Sequence, residues 1–168
     1  GEPGIGKTTL VEDFLAELSV DMPPHDYSGF RLARRKSWEL ACDWEVYVDN
    51  YLEGYHIPIV HPGLFRELDY AKYRTETRRS HSIQIAPTRN AERIRTSAGD
   101  DAVRYFWLFP NLMLNVYPDN FSTNLILPLG PGRTLTIFEW YFRDPEQAEA
   151  VIDETIAGEA LDMLSVDK

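Results

Sequence analysis

The chain has 168 residues, 43% of them hydrophobic, which is enough for one domain with a real core. Its net charge of −10, from 17 Lys and Arg against 27 Asp and Glu, argues against nucleic acid as the main partner, because phosphate contacts require clustered cations. A single cysteine, Cys42, excludes an internal disulfide and fits a reducing, cytoplasmic setting, and no apolar run reaches the roughly 20 residues of a membrane span.

In chain order, residues 1–18, GEPGIGKTTLVEDFLAEL, form one unit. A glycine-rich loop leads into a helix with Leu10, Val11, Phe14, Leu15 and Leu18 at helical spacing. Residues 19–29 are rich in Pro and Gly and read as a linker. Residues 30–41 read as a strand, on which Arg34-Arg35-Lys36 is a solvated edge. A helix is expected over 43–54, then a segment punctuated by Pro and Gly to about Leu68. Strand-like runs follow at Tyr73–Ile85, Val103–Phe109, Leu112–Tyr117, Thr123–Leu127 and Thr134–Phe142, separated by turn signals. A last helix is expected over 145–164, with Asp144 as its N-cap. A helix, an antiparallel sheet and a long closing helix make an α+β plan.

Gly1 to Thr8 spells G-x-x-x-x-G-K-T, whose backbone N–H groups can cradle phosphate, with Lys7 reaching the terminal phosphates and Thr8 holding Mg²⁺. It resembles the Walker A of a signalling-type ATPase over residues 1–18. Such a loop requires a parallel strand before it and an acidic strand end after it, whereas the later strands read as antiparallel. Gly6, Lys7 and Thr8 are therefore read as part of a non-functional stub over 1–18, either a fusion scar or the stub of a different unit joined upstream of the domain at 30–168.

The informative stretch is Asp43–Leu64, DWEVYVDNYLEGYHIPIVHPGL. His56 and His61 are five apart, and Glu53 stands three residues before the first. Two imidazoles and a carboxylate on one side of a metal leave positions open for O₂ and substrate, which suits an Fe(II) oxygenase. On a straight helix five residues turn through roughly 500°, leaving the two rings about 140° apart. Pro58 lies between them, and its missing N–H and ring clash break a helix, so a kink there is expected to bring the rings together.

The run NYLEGYHIPIVHPGL resembles the catalytic domain of Rieske-type ring-hydroxylating oxygenase α subunits, in the branch with choline monooxygenase, carnitine oxygenase and glycine betaine oxygenase. RRKSWELACDWEVYVDNY and NLMLNVYPDNFSTNLILPLGPGRTLTIFEWYF resemble it too, so the likeness covers about residues 27–168. It implies that His56 and His61 are iron ligands. It also implies that Glu53 is a bridging carboxylate on the electron path to a Rieske [2Fe–2S] centre of a neighbouring subunit. Asp49, Asn50 and Tyr55 take supporting roles, Asp49 or a backbone carbonyl orienting a ligand ring. The family's third ligand is an Asp on the C-terminal helix, expected just beyond Lys168, with Asp167 and then Asp162 as the nearby substitutes.

The resemblance further implies a helix-grip (START-like) fold, a sheet wrapped around a long C-terminal helix, truncated here. The activity implied is hydroxylation of an aromatic or quaternary-ammonium substrate with O₂, Fe(II), a reductase or ferredoxin donor and a trimeric assembly. One cysteine cannot supply the C-x-H…C-x-x-H set of a Rieske centre, so that centre is expected in an upstream domain or a neighbouring subunit. The isolated chain is expected to be inactive. Aromatic strand residues such as Tyr105, Trp107 and Trp140 read first as core, and some as a face for a quaternary ammonium head. Two other classes stay open: a metal-free helix-grip ligand-binding module, and a P-loop ATPase fragment.

Overall fold

The computed structural model describes residues 5–89 and 102–144, together with 148, 149, 152 and 153; side chains are described from Glu12 onward. The elements in order are α1 (Ile5–Asp21), β1 (Arg31–Leu40), α2 (Trp44–Leu52), α3 (Ile57–Val60), α4 (Pro62–Glu67), a 3₁₀ turn (Tyr70–Lys72), β2 (Arg74–Thr77), β3 (His81–Pro87), β4 (Ala102–Leu108), β5 (Leu112–Val116), β6 (Asn120–Gly130) and β7 (Arg133–Phe142). All seven strands join one antiparallel sheet in the order β1-β7-β6-β5-β4-β3-β2. Strands β2 to β7 meander, and β1 closes the far edge beside β7.

Side chains alternate between the two faces of a strand, so register sorts them. One row crosses the sheet through the paired positions Gln84, Tyr105, Asn115, Ser122 and Trp140. Met113, Ile126, Phe138 and Phe142 share that face and pack with Tyr47 and Val48 of α2 and with Ala148 and Ile152. The opposite face carries Ile83, Ile85, Phe106, Leu108 and Val116. Phe106, Phe138 and Trp140 are at most 2% exposed. Each such aromatic contributes about 2–3 kcal/mol by leaving water, which makes this two-faced sheet the frame on which α2 is mounted.

Both ends of α2 are fastened to the sheet. At its start, Asp43 Oδ1 accepts the Gly132 N–H at 2.6 Å, and the buried Thr134 hydroxyl donates to the Cys42 carbonyl at 2.8 Å. Gly132 adopts φ +65° in the β6–β7 turn, a conformation open to glycine at no steric cost. At its end, the Tyr51 hydroxyl donates to Asn115 Oδ1 at 2.8 Å, and Gln84 Nε2 donates to the Tyr51 carbonyl at 2.7 Å.

Two expectations change in detail. The run 73–85 is not one strand but a hairpin, β2 and β3, turning at Arg78-Arg79-Ser80. Helix α1 continues to Asp21, into the segment expected to be linker, and Phe14, Leu18 and Met22 pack on the Ile83–Phe106 face. Asp21 also takes a two-point ion pair from Arg78, at 2.8 and 2.9 Å, and Ser80 donates to Glu17. Of the closing helix, Ala148, Glu149, Ile152 and Asp153 are helical, and Arg34 reaches Asp153 at 2.7 Å. The remainder of 145–164 lies outside the described residues, as do Asp162 and Asp167. No helix among the described residues is long and apolar enough to cross a membrane.

Gly6, Lys7 and Thr8 fall within the first turn of α1, with their side chains outside the described residues, as are residues 1–4.

Candidate metal centre

The site is built where α2 ends. Glu53 leaves the helix with φ −99° and ψ 147°, while its N–H still bonds the Asp49 carbonyl at 3.3 Å. Gly54 and Tyr55 carry the chain round, and His56 caps the start of α3. That helix is a single turn of four residues, closed by Val60 N–H on the His56 carbonyl at 2.8 Å and His61 N–H on the Ile57 carbonyl at 3.0 Å. His61, at φ −117° and ψ 64°, ends α3 and caps α4, whose first residue is Pro62.

The two imidazoles therefore stand at the two ends of one helical turn. Their centroids are 5.4 Å apart and their planes cross at 71°. With metal–nitrogen bonds of about 2 Å, two imidazoles on one ion have centroids roughly 5 Å apart. The observed separation is close to that spacing.

Pro58 brings this about differently from the expected kink. The helix has already ended at Leu52, six residues earlier, and Pro58 sits in the first turn of α3. There its missing N–H has no helical partner to lose, and its fixed φ favours the new turn. Pro58 starts the short helix rather than breaking a long one.

Glu53 faces back over this turn. One carboxylate oxygen contacts His56 Nδ1 in a short hydrogen bond, and the other accepts the His56 backbone N–H at 3.2 Å. A ring whose Nδ1–H donates to a carboxylate presents Nε2 as its lone-pair nitrogen, the tautomer that binding a metal through Nε2 requires. Sequence reasoning gave the orienting role to Asp49 or a carbonyl. Asp49 is exposed, and Glu53 is the group on the ring. The side chains of His56 and Glu53 are 15% and 21% exposed, so the pair is screened from water but reachable. Tyr55 points outward at 76% exposure.

Three residues with no signal in the spacing surround this turn. The Tyr70 hydroxyl donates to the Gly54 carbonyl at 3.0 Å, and the Tyr73 hydroxyl donates to Gln84 Oε1. Burial holds the Tyr73 phenol well above its usual pKa, reinforced by the neighbouring Tyr70 and by the negative charge of Glu53. Tyr105, also pushed up, chiefly by burial and then by Tyr117, lies across the sheet from Gln84. Among the described residues no group of three or more His, Cys, Asp or Glu side chains could hold a metal.

An antiparallel sheet thus carries a helix whose end is followed by a carboxylate and two converging histidines. The family model for the ring hydroxylating alpha subunit (catalytic domain) matches residues 29–160, and the chain belongs to that family. Choline monooxygenase of Arabidopsis thaliana, a chloroplastic protein, is 39% identical over 114 residues, covering 66% of this chain and 26% of that protein. The carnitine monooxygenase oxygenase subunit of Acinetobacter pittii is 32% identical over 145 residues, covering 82% and 39%. Among solved structures, the quaternary ammonium Rieske monooxygenase CntA with an inhibitor superposes at TM-score 0.74 and 26% identity, covering 83% of this chain and 39% of that one. Dicamba monooxygenase shares the fold at TM-score 0.60 and 14% identity, covering 85% and 51%. The chain thus spans about a quarter to two fifths of the length of the curated relatives it matches. The leading P-loop pattern lies outside the family match.

Proposed function

We propose that this chain is the iron-bearing part of a mononuclear non-haem oxygenase that hydroxylates a quaternary ammonium compound. The observation that carries it is the His56–His61 pair, 5.4 Å apart, with Glu53 on His56. His56 and His61 hold Fe(II), and a carboxylate outside the described residues completes the set. Fe(II), when bound with positions left open, supplies activation of O₂. Glu53 keeps the His56 ring in the coordinating tautomer and is placed beside the route by which electrons enter. The relatives named above act on choline and carnitine, which favours a quaternary ammonium over an aromatic substrate.

Electrons come from a Rieske [2Fe–2S] centre carried elsewhere in the assembly, because its two cysteine ligands cannot come from one buried thiol. A carnitine-oxidising Rieske monooxygenase has been described with inter-subunit electron transfer, which supports a homo-oligomer, a trimer in this reading, fed by a reductase or ferredoxin. The sheet wraps the C-terminal helix in a helix-grip arrangement, and residues 30–168 form the oxygenase domain. The P-loop pattern has no part in the reaction. A reducing compartment, cytoplasmic in this reading, accommodates Cys42.

Anaerobic loading with Fe(II), followed by iron analysis, tests the reading. Wild type is expected to retain iron and the His56→Ala/His61→Ala double variant to lose it. Equal iron in both would remove His56 and His61 as the ligands, and iron in neither would leave a metal-free helix-grip module.

A further inference from the structure

The peptide that carries Glu53 is held on both sides by hydrogen bonds from residues outside the His56–His61 turn. Two residues before Glu53, the Tyr51 carbonyl accepts Gln84 Nε2 at 2.7 Å. One residue after it, the Gly54 carbonyl accepts the Tyr70 hydroxyl at 3.0 Å. Between these points the ring of Tyr73 lies against Gly54 itself. A Cβ at Gly54 would fall 2.7 Å from Tyr73 Cζ and 2.8 Å from Cε1, closer than real Cβ contacts come.

Tyr73 is not free to swing aside. Its ring stacks on Tyr70, with centroids 5.6 Å apart and planes at 28°, and its hydroxyl is bound to Gln84. Gln84 is in turn 3% exposed, in the row that crosses the sheet next to Tyr105. Gln84 therefore joins two contacts: it accepts from the ring that packs on Gly54 and donates to the carbonyl before Glu53. Glycine is required at position 54 by this approach, and by no turn conformation, since φ there is not positive.

We propose that Gly54, Tyr73 and Gln84 are positioning residues that fix the Glu53 carboxylate on His56 from the sheet edge formed by β2 and β3. The consequence for metal binding rests on the reading of His56 as a ligand; the consequence for the His56 ring does not. With the Glu53 peptide in place, the carboxylate meets Nδ1 and the ring is an Nδ1–H tautomer. When the peptide is displaced, that bond is lost and the ring relaxes toward the Nε2–H tautomer favoured in free histidine.

The test uses the whole chain labelled with ¹⁵N. Long-range ¹H–¹⁵N spectra read the tautomer of His56, assigned by its disappearance in His56→Ala, and titration with Co(II) reads affinity. Wild type is expected to show the Nδ1–H form. Gly54→Ala and Gln84→Leu are expected to shift the ring toward Nε2–H and weaken Co(II) about tenfold or more, the scale seen when groups orienting a ligand histidine are removed. Tyr73→Phe, which keeps the ring and loses only the hydroxyl, is expected to show a smaller shift and fold normally. Because Gly54→Ala acts through the Tyr73 ring, adding it to Tyr73→Ala is expected to cost nothing further.

Gly54→Ala and Gln84→Leu proteins that keep the Nδ1–H form and bind Co(II) within twofold of wild type would overturn the proposal. So would a Gly54→Ala effect of the same size with and without the Tyr73 ring. A tautomer shift in the variants with no Co(II) binding by wild type would uphold the positioning of Glu53 on His56 and remove His56 as a metal ligand.

Discussion

Glu53 and His56, three residues apart, meet across the turn that ends α2: the carboxylate engages both the ring Nδ1 and the backbone N–H of the histidine. The double contact sets the ring's direction and its tautomer together. It follows that much of the metal affinity attributed to His56 depends on Glu53. Glu53→Ala is expected to weaken Co(II) or Fe(II) binding by roughly 10- to 100-fold. Glu53→Gln, which keeps an oxygen for Nδ1–H, is expected to lose less. Isothermal titration under anaerobic conditions measures both.

Tyr51→Phe tests the anchor at the end of α2. Its hydroxyl donates to Asn115 Oδ1 at 2.8 Å, and the buried Asn115 donates to the Ser122 hydroxyl at 3.0 Å. Removing one hydroxyl from such a buried network costs about 1–2 kcal/mol. A urea midpoint lowered by that amount, with unchanged slope, is the expected result.

The start of α2 is tested by Thr134→Val. The swap keeps the shape of a fully buried side chain and deletes its bond to the Cys42 carbonyl. About 1 kcal/mol of stability is expected to go, by chemical denaturation, because that carbonyl loses a donor in the interior.

Acid is expected to loosen α1 from the sheet. Burial raises the Asp21 pKa, but the Arg78 and His81 hydrogen bonds and charges outweigh it, so the net shift is downward. Glu17 is also lowered, first by the Ser80 hydroxyl and then by the Arg79 N–H. A carboxyl whose folded pKa lies below its unfolded value stabilises the fold above the unfolded pKa, about 4 for Asp and Glu. That stability is lost as pH falls from there through the lower folded value. Wild type should therefore lose stability below about pH 4 more steeply than Asp21→Asn. Denaturant midpoints between neutral pH and pH 2 give the comparison.

The elements that sequence displays well are those with local signals. The alternation in 133–142 and the Gly130-Pro131-Gly132 turn place β7, and the turn chemistry at Pro118-Asp119-Asn120 places the start of β6 within three residues. The two histidines stand out because Pro58, Pro62 and Gly63 punctuate their segment. The turn at Arg78-Arg79-Ser80 has no Gly, Pro or Asn, so β2 and β3 merge into one run when read along the chain. Its partners explain it instead: Arg78 and Ser80 bend toward Asp21 and Glu17, about sixty positions away. The end of α2, expected at 54, falls two residues earlier, at Leu52. Leu52 and Glu53 carry no break of their own, and the helix stops where Gln84 and Tyr70 take the carbonyls of Tyr51 and Gly54. Gln84 and Tyr73 read as ordinary strand positions, because what they do depends on contacts thirty-three and nineteen residues back.

The central claim is that His56 and His61 bind one iron, and X-ray absorption at the iron edge of the Fe(II)-loaded chain tests it most directly. Two imidazole shells are expected in wild type, one after His56→Ala or His61→Ala, and none after both. An iron environment that is the same in all four proteins would contradict it.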